Sequence, residues 1–556
     1  MKKRLRRWIS YPLGAAALVT GLAKVKSRLE LSRAKHRSLA GHARIARSLA
    51  GLLPFYEFDE HEFFGSDGAP EEIAARRRRG FMRLAQLYRE RFCETRRLTA
   101  IARESISDLQ FTDAYRVPFQ YSRIVREHLR AGSFLQSSHG VMLTDLDGNR
   151  FYDLAGSYGV NLLGYDFYKS CMEAGWERVR ELGPVLGAYH PVVAENVARL
   201  KAISGLDEIS FHMSGTEAVM QAVRLARYHT RRTHLVRFCG AYHGWWGDVQ
   251  PGVGNPLPPR ETYTLAEMSE QTLHVLRTRR DIACVLVNPI QALHPNRAAP
   301  ADSSLVDSSR RAGFDKAAYQ RWLKMLREVC CQQRIPLIFD EVLLGFRVAP
   351  GGAQEYFGVR ADLVTYGKTL GGGLPIGVVC GRGELMKRYH EDHPADICFA
   401  RGTFNAHPSV MGAMCEFLSR LELAEIRELY QDLDMRWNQR ARHINDRLAK
   451  DGLPVHVANL STVWTVCYTV PSRYNWMLQY YLRAEGLALS WIGTGRIIFS
   501  LNYTDNDFAA VVERFVKAAR AMHDDGWWWV STDERARPIK QQILHETIKQ
   551  FLSSRQ

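Results

Sequence analysis

Cysteine is sparse in arrangement, if not in number: ten residues are scattered over 556, none in a Cys-x-x-Cys pair, and only Cys330 and Cys331 are adjacent. That spacing excludes a zinc ribbon or a disulfide framework and fits a reducing compartment. A long apolar run is also missing near the start, where Trp8 to Ala23 offers about 15 residues against the ~20 a bilayer-spanning helix needs. Charge of one sign is lacking over most of the chain. The formal net charge is +16, yet residues 1–50 hold thirteen basic residues against Glu30 alone, a net of +12. The excess therefore belongs to an arm that touches an anionic partner, not to a basic catalytic domain. Lipid headgroups, an acidic carrier protein and nucleic acid all answer that description.

What is present is an ordinary globular composition, 46% hydrophobic and 24% charged, long enough for two or three domains. Residues 1–28 join a basic start to the apolar run, which resembles a signal-peptide h-region. Lys24, Lys26 and Arg28 follow at once, and the preferred reading is an uncleaved helix lying on the inner face of the membrane with Trp8 at the headgroups; a solvated tail is the alternative. Residues 29–110 alternate Leu, Ala and Arg at helical spacing and form a helical extension. Within it Arg76 to Arg79 read as a solvated face, neutralised in part by Glu71 and Glu72. Residues 111–165 contain GVMLTDLDGNRFYDLAG, a hairpin with a primed turn at Asp147-Gly148, and open the smaller domain. In residues 166–410, THLVRFCG, ACVLVNPI, PLIFDEV, DLVTYGK and PIGVVCG are strand-like and alternate with helical segments, the pattern of an α/β domain with a mostly parallel sheet covered on both faces. Residues 411–530 return to a smaller α+β unit, and the tail, 531–556 and the chain from Trp527 onward, reads as polar and peripheral.

Four segments carry chemistry. In TYGKTLGGGLPIG, Lys368 sits just past an apolar strand beside the glycines at 371–373, where burial would depress its pKa and make it a nucleophile; a surface lysine in a turn is the plain alternative. Ser214, Gly215 and Thr216 precede a helical segment, whose free N–H groups suit a phosphate dianion, or they are an ordinary N-cap. Asp340 ends the apolar strand PLIFDEV, where a carboxylate calls for a cation such as a protonated ring nitrogen. Tyr242 and His243 follow LVRFCG and offer rings to stack on a flat heterocycle, unless Tyr242 is only a core aromatic. Together these are the parts that hold pyridoxal phosphate.

In SGTEAVMQAVRLAR, AYHG, PLIFDEVLLGFR, GKTLGGGLPIGVVCGRGELM and GTFNAHP the chain resembles the class III, fold-type I aminotransferases, most closely the glutamate-1-semialdehyde aminomutase branch, over roughly residues 117–523. The resemblance implies that Lys368 forms a Schiff base with pyridoxal 5′-phosphate and shuttles a proton between substrate and cofactor carbons, while Asp340 keeps the pyridine nitrogen protonated. It further places Gly215 and Thr216 on the phosphate, Tyr242 and Val342 on the two ring faces, and Gln291 near the ring hydroxyl. Thr403 would be lent to the neighbouring subunit, which implies a homodimer with shared sites. Arg123, in PFQYSRIV, matches the arginine that holds the aminomutase substrate's carboxylate, and Ser157 and Tyr158 would wall the substrate mouth. Two departures bear on the substrate: Asn288 stands where class III members generally carry glutamate, and a proline pair common in relatives is absent after Arg496. The expected activity is transfer of an amino group from a small-molecule donor to an aldehyde or ketone, in the cytoplasm and in a specialised pathway. Its runners-up are the aminomutase reaction, decarboxylation or condensation on the same cofactor, and a non-catalytic membrane scaffold. No metal and no nucleic acid are expected.

Overall fold

Apolar segments that alternate with helices build the central sheet of this protein. The computed structural model describes residues 20–36, 42–115, 117–130, 132–250, 253–255, 257, 261–293, 312–489, 496–532 and 538–553. Trp8 and most of the basic arm lie outside the described residues. The strands are β1 (Leu135–His139), β2 (Met142–Asp145), β3 (Arg150–Asp153), β4 (Glu208–His212), β5 (His234–Phe238), β6 (Thr262–Leu265), β7 (Ile282–Val287), β8 (Leu337–Asp340), β9 (Leu363–Gly367) and β10 (Gly377–Gly381). They are followed by β11 (Tyr389–His390), β12 (His393–Ile397), β13 (Val455–Leu460), β14 (Val463–Tyr468), β15 (Leu487–Ala488) and β16 (Arg496–Ile498).

The large sheet has seven strands in the order β4-β10-β9-β8-β7-β5-β6. Neighbours from β9 to β6 are parallel. Only β10 is reversed, against both β9 and β4, so β4 points the same way as the others. Strand β7 reads IACVLV because both its faces are covered. On one face the helix Gly215–Thr230 packs Ala222, Val223 and Ala226 against Leu286, Ile338 and Val379. On the other, Lys316–Gln332 sends Trp322, Leu323 and Leu326 into the core that holds Val287, Phe339 and Val364. The adjacent residues Ile338 and Phe339 thus serve opposite layers, as the two-residue period of a strand requires.

Strands β13, β14 and β16 form a second, antiparallel sheet backed by the helices Leu433–Lys450 and Asp505–Asp524. The hairpin sheet β1-β2-β3 recruits β15 as its fourth strand, parallel to β3, and so joins the beginning of the body to its end. The hairpin stands where Asp147-Gly148 indicates, but its turn is not the expected primed one. Gly148 has φ +78° and its N–H donates to Asp145 O at 3.2 Å, while Asp147 is absent from the left-handed residues. The Asp147 carboxylate is engaged elsewhere, accepting from the Glu94 and Thr95 N–H groups (2.7 and 2.9 Å) at the start of the helix Cys93–Arg103. A demand from a distant helix has overridden the local turn preference.

The extension packs on the C-terminal half. Phe63 is buried among Phe81, Tyr121, Trp476 and Trp527, and Ser66 Oγ lies 2.7 Å from Tyr121 OH and 2.9 Å from Tyr474 OH. Arg76 to Arg79 are not a uniformly solvated face: Arg77 is wholly buried. It lies on the same side of the helix Glu71–Arg91 as Phe81, Leu84 and Tyr88, which carries it inward. Its guanidinium forks onto Asp67 (2.8 and 2.7 Å) and donates to Phe64 O and Gly526 O (2.7 and 3.0 Å). At Gly80 the same helix touches Asp525 so closely that a Cβ would fall 2.2 Å from its carboxyl carbon. The peripheral tail begins later than Trp527, since no described residue after Trp528 is buried. Trp527 and Trp528 are buried, because their indole N–H groups find Tyr481 OH (2.8 Å) and Asn475 Oδ1 (2.9 Å). Beyond them the helix Ile539–Ser553 is held where Arg473 Nη2 meets Glu546 at 2.8 Å. Arg77→Ala strands the Asp67 carboxylate, and we expect a loss of about 3–5 kcal/mol in denaturant unfolding with faster proteolysis of the extension, whereas the exposed Arg79→Ala leaves both unchanged.

Candidate active site

The sequence-predicted residues gather along one edge of the large sheet. Asp340 ends β8, Lys368 follows β9, Tyr242 and His243 follow β5, Gln291 follows β7, and Ser214 to Thr216 follow β4. All of these are carboxyl ends of strands that run one way, the edge where open α/β sheets hold ligands. Register brings β8 and β9 together there, with Asp340 opposite Thr365 and Lys368 three residues further on.

Asp340 is buried and its partners are all neutral. Oδ2 accepts from His243 Nδ1 at 2.7 Å, and Oδ1 accepts from the Val342 N–H at 3.1 Å. Burial pushes the His243 pKa down and Asp340 opposes that shift. His243 Nε2 is buried without a hydrogen-bond partner among the described residues. The next residue, Glu341, takes the other side of the strand end. It accepts from the Ala353 and Gln354 N–H groups at 2.6 and 3.1 Å, and burial raises its pKa to about 8. One carboxylate is thereby left to the site and one to the scaffold.

Lys368 is held in the left-handed region at φ 48°, an uncommon conformation for a residue with a Cβ and one often kept at functional positions. Burial lowers its pKa, Asp340 opposes this, and the Arg347 guanidinium lowers it further. The glycines after it turn the chain sharply, with Gly372 and Gly373 at φ +60° and +102°. A Cβ on Gly372 would strike Ala413 O at 2.3 Å, so these glycines admit the helix Pro408–Arg420 as well as making room for the lysine.

The helix start is lined by glycine. Ser214 is its N-cap, accepting from the Glu217 N–H at 3.3 Å. A Cβ on Gly215 would sit 2.7 Å from Val342 Cγ1, and one on Gly244 would sit 2.4 Å from Thr216 Oγ1, so Val342, Gly215, Thr216 and the Tyr242–Gly244 turn converge. Tyr242 is 60% exposed over this floor, and Asn288 Nδ2 steadies its turn by donating to Tyr242 O at 3.2 Å. Gln291 is buried, on the short helix Pro289–Leu293.

Ser157 and Tyr158, expected as wall residues, lie on a loop beside Lys368. They belong to Gly156–Gly159, four successive residues with positive φ (54°, 44°, 57° and 97°). Ser157 Oγ lies 2.7 Å from Tyr165 OH, which donates to Asp153 Oδ2 at 2.6 Å. At Gly159 a Cβ would fall 2.2 Å from Leu343 Cδ1 and 3.4 Å from Lys368 Cδ, which puts this loop against the lysine stem. Two other residues are not brought in. Thr403 is exposed in the loop after β12, and Arg123 turns to the extension, donating to Phe58 O at 3.1 Å with Glu57 and Glu127 each at 3.6 Å.

Sequence reasoning passed over Arg347, although it ends the quoted segment PLIFDEVLLGFR. It is fully buried and no carboxylate pairs with it among the described residues; burial lowers its pKa to about 10. Its Nη1 donates to Thr462 Oγ1 (3.1 Å) and Phe499 O (2.7 Å), and its Nη2 to Gly159 O (3.0 Å) and Asn161 O (3.4 Å).

A family model described as aminotransferase class-III matches residues 125–519. The chain belongs to the class III aminotransferases. Among curated proteins it is 32% identical over 397 residues to the glutamate-1-semialdehyde 2,1-aminomutase of Nitratidesulfovibrio vulgaris (strain DP4), covering 68% of this chain and 90% of that protein. A solved transaminase with PLP bound superposes with TM-score 0.61 at 25% identity, covering 80% of this chain and 98% of that one. A glutamate-1-semialdehyde aminomutase from Pseudomonas aeruginosa PAO1 superposes with TM-score 0.63 at 17% identity, 81% and 99% covered, and shares the fold. This class III chain is thus a fold-type I enzyme that uses pyridoxal 5′-phosphate. Its residues fit that group: a buried carboxylate and a half-buried lysine flank a glycine-lined helix start, a cradle any Cβ on Gly215 would invade.

Arg347→Met removes the donors that tie Gly159 and Asn161 to Thr462 and Phe499 and leaves buried carbonyls unpaired. We expect a stability loss of about 2 kcal/mol or more and faster hydrogen exchange over residues 156–161, read by mass spectrometry.

Proposed function

We propose that this class III chain transfers an amino group from a small-molecule donor to an aldehyde or ketone acceptor, with Lys368 as the attachment point and proton carrier. The observation that carries the reading is Lys368 itself, half-buried beside Gly159 and within electrostatic reach of Asp340. When bound, pyridoxal phosphate supplies an electron sink for the negative charge that develops on the substrate carbon. The chain's own groups hold it and move protons. Asp340, oriented by His243, would pair with the protonated ring nitrogen, and an ionised partner there is favoured in a buried setting. Gly215 and Thr216 would hold the phosphate at the helix start, where the free N–H groups and the dipole favour an anion. Tyr242 and Val342 would cover the two ring faces, with Gln291 near the ring hydroxyl. The Lys368 amine sheds its proton more readily than a free lysine, which suits it to take a proton from the substrate carbon and return it nearby. Ser157 and Tyr158 would border the acceptor, and Thr403, exposed on its loop, would reach the site of a second subunit in a homodimer.

The aminomutase reading is favoured by the identity to curated aminomutases. Against it stands Arg123, whose guanidinium is engaged by Phe58 O and Glu57 of the extension. Asn288, neutral and tied to the Tyr242 turn, also changes the charge beside the ring. Donor alone should convert the holoenzyme's visible absorbance to that of the amine form, and isotope-labelled donor nitrogen should appear in a separate acceptor molecule. Label confined to the original carbon skeleton would establish the aminomutase instead. Lys368→Ala should lose the visible band of the lysine-bound cofactor and slow turnover by at least about 10²–10⁴-fold.

The helix over residues 20–34 supports a second element of the proposal. It exposes Leu22, Val25 and Leu29 at helical spacing beside Lys24, Lys26 and Arg28, a face suited to an anionic lipid surface. No described helix is long and apolar enough to cross a membrane. Removing residues 1–29 should abolish sedimentation with phosphatidylserine vesicles and spare turnover of soluble substrates. Equal sedimentation of both forms would sink the lipid reading and leave an acidic carrier protein as the partner to assay.

A further inference from the structure

Away from the active-site edge, a cleft of about 600 Å³ opens between the helical extension and the small domain. Its cationic lining is Arg91, Arg150, Arg447, Arg514, Lys517 and Arg520, against two carboxylates, Glu485 and Glu513. None of the residues gathered around Lys368 lines it. Three of the six cations are paired: Arg447 with Glu513 (2.6 Å), Lys517 with Glu485 (2.9 Å) and Arg520 with Asp451. The other three have no carboxylate partner among the described residues.

Two of those three, Arg91 and Arg514, are positioned by neutral groups. Arg91 donates to Ala484 O (2.6 Å) and to Asn149 Oδ1 (3.3 Å). Arg514 donates to Glu485 O and Gly486 O (3.3 and 3.4 Å), and its guanidinium lies 5.1 Å from the centre of the Tyr152 ring. Arg150 is exposed and makes no ion pair among the described residues. Carbonyls orient a guanidinium without cancelling its charge, so Arg91 and Arg514 bring two oriented positive charges to the cleft and Arg150 adds a third at its exposed edge, while Glu485 and Glu513 are engaged by Lys517 and Arg447. The backbone is shaped to allow it. Gly486 has φ +77°, and a Cβ there would fall 2.4 Å from Arg514 Nη1, so a side chain at this position would displace the arginine. Arg91 comes from the extension, which the family match from residue 125 leaves out.

We infer that this cleft binds an oligophosphate, either free or as the phosphate chain of a nucleotide. Guanidinium forks match phosphate oxygens in pairs and keep their charge at any accessible pH. A partly enclosed volume with several fixed cations favours a compact anion that carries several charges over a single carboxylate. The ligand would join the extension, the β2–β3 hairpin and the small domain through Arg91, Arg150 and Arg514.

The test uses the full-length enzyme loaded with pyridoxal phosphate, so that the phosphate cradle at Gly215 and Thr216 is filled. Sodium tripolyphosphate and ATP are titrated by calorimetry and thermal shift against sodium chloride of equal ionic strength. Saturable binding and a rise in Tm beyond the salt control are expected. Arg150→Glu, an exposed change outside the catalytic groups, should weaken binding at least about tenfold by removing one charge-assisted contact and leave basal turnover unchanged. Equal affinity for both compounds identifies the phosphate chain as the recognised group; tighter binding of ATP points to a nucleotide source, and tighter binding of tripolyphosphate to a free oligophosphate. No shift beyond the salt control, or equal affinity in wild type and Arg150→Glu, overturns the proposal. Gly486→Ala, which moves Arg514 by a second route, should reproduce the loss if it folds, and unaltered binding in a folded Gly486→Ala protein counts against it equally.

Discussion

The buried guanidinium of Arg347 is the junction on which the catalytic half of this protein depends. A charge with no carboxylate beside it is costly to bury. It is tolerated here because four hydrogen bonds lead from it to three separate segments: the loop at 159–161, the turn after β13, and the chain just past β16. The arginine follows β8 of the large sheet and its four acceptors lie at positions 159, 161, 462 and 499, so one side chain ties these parts together. The same charge bears on Lys368, whose ammonium form it disfavours. Support and chemistry are joined through that one group.

Around this junction the site follows from strand direction. Parallel strands deliver their carboxyl ends to one edge, and each delivers a different group: a carboxylate from β8, a lysine after β9, rings after β5 and a helix start after β4. The neighbours Asp340 and Glu341 could not both face the ligand without repulsion. The alternation of a strand resolves this by turning Glu341 to the Ala353 and Gln354 N–H groups. The left-handed run Gly156–Gly159 then folds over the lysine stem, a conformation two of its residues would not adopt alone. It persists because Arg347 and the Asp153–Tyr165–Ser157 chain hold it from two sides.

Much of this could be read from the sequence. Each of the five quoted strand segments became a strand of the large sheet, since a run of apolar residues bounded by Gly, Asp or Asn has few other uses in an alternating chain. Lys368 and Asp340 were visible because polar residues ending such runs are out of place unless they do something. What escaped depended on partners far along the chain. Arg77 looked like one of four equivalent arginines until Asp67 and Gly526 were placed beside it. Asp147 looked like a turn residue and caps a helix some fifty positions earlier. Trp527 and Trp528 sat in a polar stretch, yet Tyr481 and Asn475 supply what their indoles require. Arg347 belongs with these, for no local pattern says which carbonyls a buried arginine will meet.

The seating of Phe63 and Ser66 on Tyr474, Trp476 and Trp527 carries a cost in time. Ser66 leaves the ribosome well before its partner Tyr474, which is 408 positions later. At ordinary elongation rates that gap lasts roughly 20 to 80 seconds. During it the aromatic face of the extension has no surface to cover it, and an uncovered apolar face on a nascent chain is where aggregation begins. The arginine and glutamate on the rest of the helix Glu71–Arg91 are the charged groups that flank this waiting segment. A truncated chain that ends before the small domain would never leave that exposed state, so the protein is committed to being made whole.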